Sequence, residues 1–175
     1  MLQPRSPRPS FWLLATLVAS TSVTAPLAGQ SIDVVEMTVE DVQAGYASGR
    51  FTAVQLTRAF LDRIDLYEGR YNAFISMNPD ALALAAALDA EYAASGPRGP
   101  LHGVPVVIKD NIDHAGLVTT AGWEGFSAGA GGVDMVPGDD AAVVTRLREA
   151  GAIILGKTNL PDFALNGTRT RSSVA

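Results

Sequence analysis

The chain has 175 residues, 47% of them hydrophobic and 18% charged, an ordinary globular composition with room for one domain and a real core. Its net charge of −5, with no basic run in the body of the chain, excludes the electrostatic footprint of a nucleic-acid binder. It has no cysteine, which excludes disulfides, thiolate zinc sites, cysteine nucleophiles and a lipid-modified cysteine anchor. His102 and His114 are its only imidazoles, too few for a histidine-rich metal site.

The first 29 residues read as a secretory signal peptide. Arg5 and Arg8 form a basic start, residues 11–19 form an apolar run, and small residues follow up to Ala28 and Gly29, where cleavage is expected. Pro26 departs from the usual small-residue pattern at the cut. A membrane span needs about 20 apolar residues, more than this run offers, so export to the periplasm or the medium is expected and a stable membrane anchor is not. The domain then occupies residues 30–175, and without disulfides its stability has to come from its core.

Thr38 caps a first helix running through Val42 and Tyr46 to a stop at Gly49. Thr52 and Gln55 have the spacing of a capping box, and Leu56, Phe60, Ile64 and Tyr67 then recur at helical spacing. Residues 71–77, YNAFISM, read as a strand. Asn78 and Pro79 open a third, alanine-rich helix with Leu82, Leu84 and Leu88, ending near Gly96. Val104, Val106, Val107 and Ile108, bounded by Gly103 and interrupted only by Pro105, make a buried strand that ends in Lys109. The segment 111–138 is a long glycine-rich loop, with TTAG at residues 119–122 and Trp123 and Phe126 to pin part of it. Asp139 or Asp140 caps a helix over residues 141–150, with Val143, Val144 and Leu147 inward. Residues 152–155 form a second buried strand, which residues 156–159 leave. A short helical turn follows at residues 160–162, and residues 166–175 are polar. Alternating strands and helices predict an α/β domain with some parallel pairing.

Lys109 has two readings from its position. It is a lysine whose stem lies along the core edge with its ammonium in water, or a partly desolvated lysine tuned for proton transfer. Residues 151–158, GAIILGKT, match the P-loop pattern in letters only. A phosphate loop needs a strand before its first Gly and a helix at its Lys, whereas here a helix precedes Gly151 and the intervening residues favour a strand. Lys157 is therefore expected to be a second ordinary strand-end lysine.

Residues 99–113 (GPLHGVPVVIKDNID), the TTAG at 119–122 and residues 139–164 (DDAAVVTRLREAGAIILGKTNLPDFA) together resemble the opening half of the amidase signature family. The similarity runs from about Val39 to Leu165. It implies the N-terminal part of the amidase-signature fold, a mixed, partly parallel sheet covered by helices. It implies a hydrolase of carboxylic amides with a serine–cis-serine–lysine triad, and the lysine carries over onto Lys109. Neutral Lys109 would take a proton through the cis-serine from the nucleophilic serine and return one to the departing amine. A free lysine has a pKa of about 10.4, so working near neutrality takes a shift of about 3 units, or roughly 4 kcal/mol. Asp110 is a concern, because a carboxylate aimed at the ammonium would oppose that shift; strand alternation allows it to face away.

The family's glycine- and serine-rich segment, with both serines and the oxyanion amides, lies several dozen residues past the lysine, so this chain is expected to be truncated before it and inactive alone. Ser172 and Ser173 lack the flanking glycines of an oxyanion site. His102 is expected to be structural, and no nucleophile elbow supports a serine–histidine–aspartate reading. The expected partner is a small-molecule amide, with no metal or organic cofactor and no oligomeric state implied. A catalytically inactive fragment or a binding-only domain is the alternative.

Overall fold

The computed structural model describes residues 31–165. The expected signal peptide and the polar stretch with Ser172 and Ser173 lie outside the described residues. Two capping boxes start the fold. Helix α1 (Val39–Ala47) begins at Thr38, whose hydroxyl accepts from the Asp41 amide at 3.1 Å while the Asp41 carboxylate accepts from the Thr38 amide at 3.0 Å. Helix α2 (Ala53–Tyr71) begins at the expected Thr52–Gln55 box, with bonds of 2.9 and 3.2 Å. The Asp89 carboxylate also accepts from the amides of Ala53 and Val54, at 2.6 and 3.1 Å. An anion thus sits on the positive end of the α2 dipole and ties the third helix to the second.

Helix α2 runs on through Tyr71, so the first strand is shorter than the sequence suggests. Asn72 ends the helix in the left-handed conformation at φ 46, and the Glu68 carboxylate accepts from the amides of Ala73 and Phe74 at 3.1 and 2.9 Å. Asparagine tolerates that conformation well. Strand β1 (Phe74–Met77) and helix α3 (Ala81–Ser95) follow. Asn78 does not cap α3. Its buried side chain donates to the Ile154 carbonyl at 2.8 Å and accepts from the Asp80 amide at 3.0 Å, which fastens the helix start to the sheet instead.

Strand β2 (Pro105–Lys109), helix α4 (Ala142–Glu149) and strand β3 (Ile153–Thr158) complete the α/β unit. The sheet order is β1-β3-β2, with β3 central, parallel to β2 and antiparallel to β1. This is the mixed, partly parallel sheet expected of the sequence. Strand β3 continues three residues past its expected end at Leu155. Gly156 permits this, since a Cβ there would lie 2.5 Å from the Ser76 carbonyl oxygen of β1. The would-be phosphate loop is therefore a sheet strand.

Ile153 and Leu155 pack against Ala53, Ala81, Ala85 and Leu88, while Ile154 packs with Ile108 and Val144. Alternate side chains of the central strand thus serve α2 and α3 on one face and α4 on the other. Helix α4 departs from expectation in two ways. Neither Asp139 nor Asp140 caps it; Ala141 stands at the cap, and Asp140 instead accepts from the Ala115 amide at 2.8 Å and pairs with Arg148 at 2.6 Å. Val144 is fully buried and Leu147 packs beside it, but Val143, about 100° round the helix, faces water. In the long loop, Trp123 and Phe126 meet edge to face at 4.7 Å, as expected, and Phe163 joins them at 6.0 and 6.2 Å. Among the described residues no helix is long and apolar enough to cross a membrane.

Candidate functional site

The carboxyl ends of β2 and β3 lie side by side, with Ile108 in register with Lys157 and Lys109 with Thr158. The crevice outside the carboxyl ends of parallel strands is where α/β sheets place their ligands. Both of the chain's two lysines stand at this edge. Their surroundings are opposite.

Along β2, Ile108 and Asp110 are buried on one side and Lys109 is exposed on the other. Among the described residues nothing hydrogen-bonds or ion-pairs with the Lys109 ammonium. Among the described residues the Lys109 side chain is left exposed. Its backbone carbonyl accepts from the Ile112 amide at 2.9 Å and so begins the turn. The Asp110 carboxylate points away from Lys109. One oxygen lies 3.0 Å from Lys157 Nζ; the other accepts from the Thr120 amide at 3.0 Å and from the Thr120 hydroxyl.

Lys157 is not the ordinary strand-end lysine that was expected. It is 0% exposed, and its ammonium reaches Asp110, the Val118 carbonyl at 3.0 Å and the Thr119 hydroxyl. The ammonium donates hydrogen bonds to Val118 and Thr119, and the Asp110 carboxylate faces it as an ion pair. Burial holds Lys157 below the ordinary lysine value, and the Asp110 carboxylate works against that shift. Sequence reasoning missed this pair because it ended β3 too early. The available signal was Gly156, a residue small enough to let the strand pass its neighbour and carry Lys157 inward.

The turn at residues 119–122 closes over these strand ends. The Ala121 amide donates to the Asp110 carbonyl at 3.1 Å, the Gly122 amide to the Thr120 hydroxyl at 3.0 Å, and the Phe163 amide to the Ala121 carbonyl at 2.7 Å. Gly122 has φ +77, and a Cβ on it would lie 2.5 Å from the Leu160 carbonyl oxygen. Glycine is needed there for both reasons.

The histidines stand apart from this edge. His102, before β2, is buried, and its Nδ1 accepts from the Arg98 amide at 3.0 Å. Burial lowers its pKa, with Glu91 opposing, which fits the structural role expected of it. His114 is also buried, with Nδ1 2.9 Å from the Ala115 carbonyl oxygen. No group of His, Asp and Glu among the described residues is arranged to hold a metal.

A family profile described as Amidase matches residues 55–175. A glutamyl-tRNA(Gln) amidotransferase subunit from Alkaliphilus metalliredigens is 40% identical over 139 residues, which is 79% of this chain and 27% of that protein. The same subunit from Renibacterium salmoninarum is 39% identical over 145 residues, covering 81% of this chain and 26% of that protein. The crystal structure of native peptide amidase from Stenotrophomonas maltophilia superposes with a TM-score of 0.67 at 42% identity, over 77% of this chain and 27% of that one. The chain thus spans about a quarter of the length of the relatives it matches. The profile takes in β2, β3 and the turn that joins their ends, and it matches well over half of the chain: the chain belongs to the amidase family.

Proposed function

We propose that this chain supplies the lysine-bearing part of an amide hydrolase, with Lys109 as the general base of a serine–cis-serine–lysine triad. One observation carries the reading: among the described residues at the carboxyl edge of the parallel strands, Lys109 is the amine with no carboxylate partner, while Lys157 is buried against Asp110. A general base must reach the proton it takes, and an exposed, unpaired amine at a ligand crevice meets that geometric demand. Its tuning needs cover from groups beyond those described. The substrate class is a small-molecule carboxylic amide, in keeping with relatives named as a peptide amidase and as amidotransferase subunits. Because the chain spans 27% of those relatives, turnover is proposed for the complete catalytic unit in which these residues work. Export through the leader at residues 1–29 is part of the same proposal.

The second reading, an inactive or binding-only chain, draws on the exposure of Lys109. The deciding experiment isolates the protein from its native source and measures its intact mass, cellular fraction and hydrolysis of simple amides. The same assay is then run with Lys109→Ala. The proposal expects an export fraction and amide turnover that falls by about 10²-fold or more in the variant. Unchanged turnover in Lys109→Ala overturns the assignment of the base. A native product near 18.3 kDa with no turnover favours the second reading.

A further inference from the structure

We propose that Lys157 is a positioning residue for Lys109: it holds the neighbouring Asp110 carboxylate on the buried side of β2, so that the Lys109 amine has no anion to pair with. The inference rests on the reading of Lys109 as the general base. Asp110 directly follows Lys109 in the chain, and a carboxylate beside an ammonium keeps the proton on it, which is the opposite of what a base requires. The structure removes that partner completely. Asp110 is 0% exposed, one of its oxygens lies against Lys157 and the other against the amide and hydroxyl of Thr120. The ammonium of Lys157 also cancels the Asp110 charge as felt from Lys109, so the pair presents a dipole rather than an anion.

Lys157 is the residue placed to do this. It enters from the central strand, in register with Ile108 on β2 and Ser76 on β1. Two carboxylates act on it, Asp110 in contact and Asp113 at longer range; the remaining contacts are the Val118 carbonyl and the Thr119 hydroxyl. The bonds of Lys157 to Val118 and Thr119, with those of Asp110 to Thr120, draw residues 118–120 onto the strand end, so the direction of Asp110 and the position of the turn are set together. Lys157 itself is fully buried. It acts through Asp110, not on a substrate.

With only two lysines, the test is clean. The whole chain is treated with the N-hydroxysuccinimide ester of acetic acid at pH 8, and acetylation at each lysine is followed by peptide mass mapping. In the wild-type chain Lys109 reacts and Lys157 is slower by about 100-fold or more, because its ammonium is buried and paired. Lys157→Met leaves Asp110 uncompensated, and Lys109 acetylation slows by about threefold or more as its proton is held more firmly. Adding Asp110→Asn to that variant restores the wild-type rate at Lys109, and Lys157→Arg retains it. A purely structural role lowers stability in Lys157→Met without slowing Lys109, and that result overturns the proposal. Should Lys157→Met not fold, Lys157→Gln, which keeps an amide donor but removes the charge, is read in its place: a slowed Lys109 supports the proposal and an unchanged one overturns it. Equal acetylation of the two lysines in the wild type, or a Lys109 rate in the folded double variant that stays low, overturns it as well. No step of this test reads hydrolysis, so a failed base assignment and a failed positioning role give separable results.

Discussion

Strands β2 and β3 end side by side, each with a lysine, and the two amines are treated in opposite ways. Lys109 extends from the rim with nothing described against its ammonium; Lys157 is one register step inward and fully enclosed. A shift of a single residue along a parallel ladder decides between a group that can meet a ligand and a group that can only hold its neighbours. The enclosed lysine is the one whose burial lowers its pKa, yet it is also the one held by a carboxylate and out of reach. Desolvation alone is therefore a poor guide to which lysine does chemistry. Access has to be read with it.

The largest test of this contrast is stability. Lys157→Met strands a buried carboxylate and is expected to cost about 3–5 kcal/mol in urea unfolding, whereas Lys109→Met stays within about 0.5 kcal/mol. Equal losses would break the comparison. Next comes the turn that closes over the buried pair. Gly122→Ala forces a Cβ onto the Leu160 carbonyl at φ +77 and is expected to cost about 2–3 kcal/mol, while Gly116→Ala, at φ +83 with open space around it, pays only the backbone term of about 1 kcal/mol. A smaller effect, about 1–2 kcal/mol, is expected of Thr120→Val, which removes the hydroxyl that Asp110 accepts from.

The smallest effect belongs to the other end of the same strands. His102 has its pKa lowered in the folded chain, so the unfolded chain binds the extra proton first. Stability is then full above the ordinary histidine value, about 6.5, and declines as pH falls below it. Protonation at Nδ1 would also turn an acceptor toward the Arg98 amide, which is a donor, into a second donor. Melting temperature should therefore drop between pH 7 and pH 5 in the wild-type chain. In His102→Asn, whose side-chain oxygen accepts in the place of Nδ1 without titrating, that part of the slope should vanish. A slope that survives unchanged places the acid sensitivity elsewhere.

The legible parts of the fold were those governed by neighbours in sequence. The Thr52–Gln55 box, the Thr38 cap and the apolar run of β2 all rest on contacts within a few residues. The parts that escaped depend on distant partners. Asn78 and Asp140 looked like helix caps, and each is committed to a group far along the chain, the Ile154 carbonyl and the Ala115 amide. At the site, the place of Lys109 at the end of an apolar strand was legible, while the role proposed for it comes from the family resemblance. The place of Lys157 was not legible, since its acceptors sit 38 to 47 residues earlier, at Thr119, Val118 and Asp110. Nothing within reach of GAIILGKT announces them.

The order of the strands has a consequence for how the chain is made. Among the described strands, β1 and β2 do not pair with each other; each pairs with β3, which follows both in the sequence. None of the pairing among these three strands can form until β3 has left the ribosome. At roughly 5–20 residues per second, β2 waits unpaired for a few seconds after its own synthesis. The helical hairpin of α2 and α3, joined through Asp89, has its contacts complete well before that. Early folding is thus helical, and the apolar residues of β2 stay exposed as an aggregation hazard until β3 arrives to seat between β1 and β2.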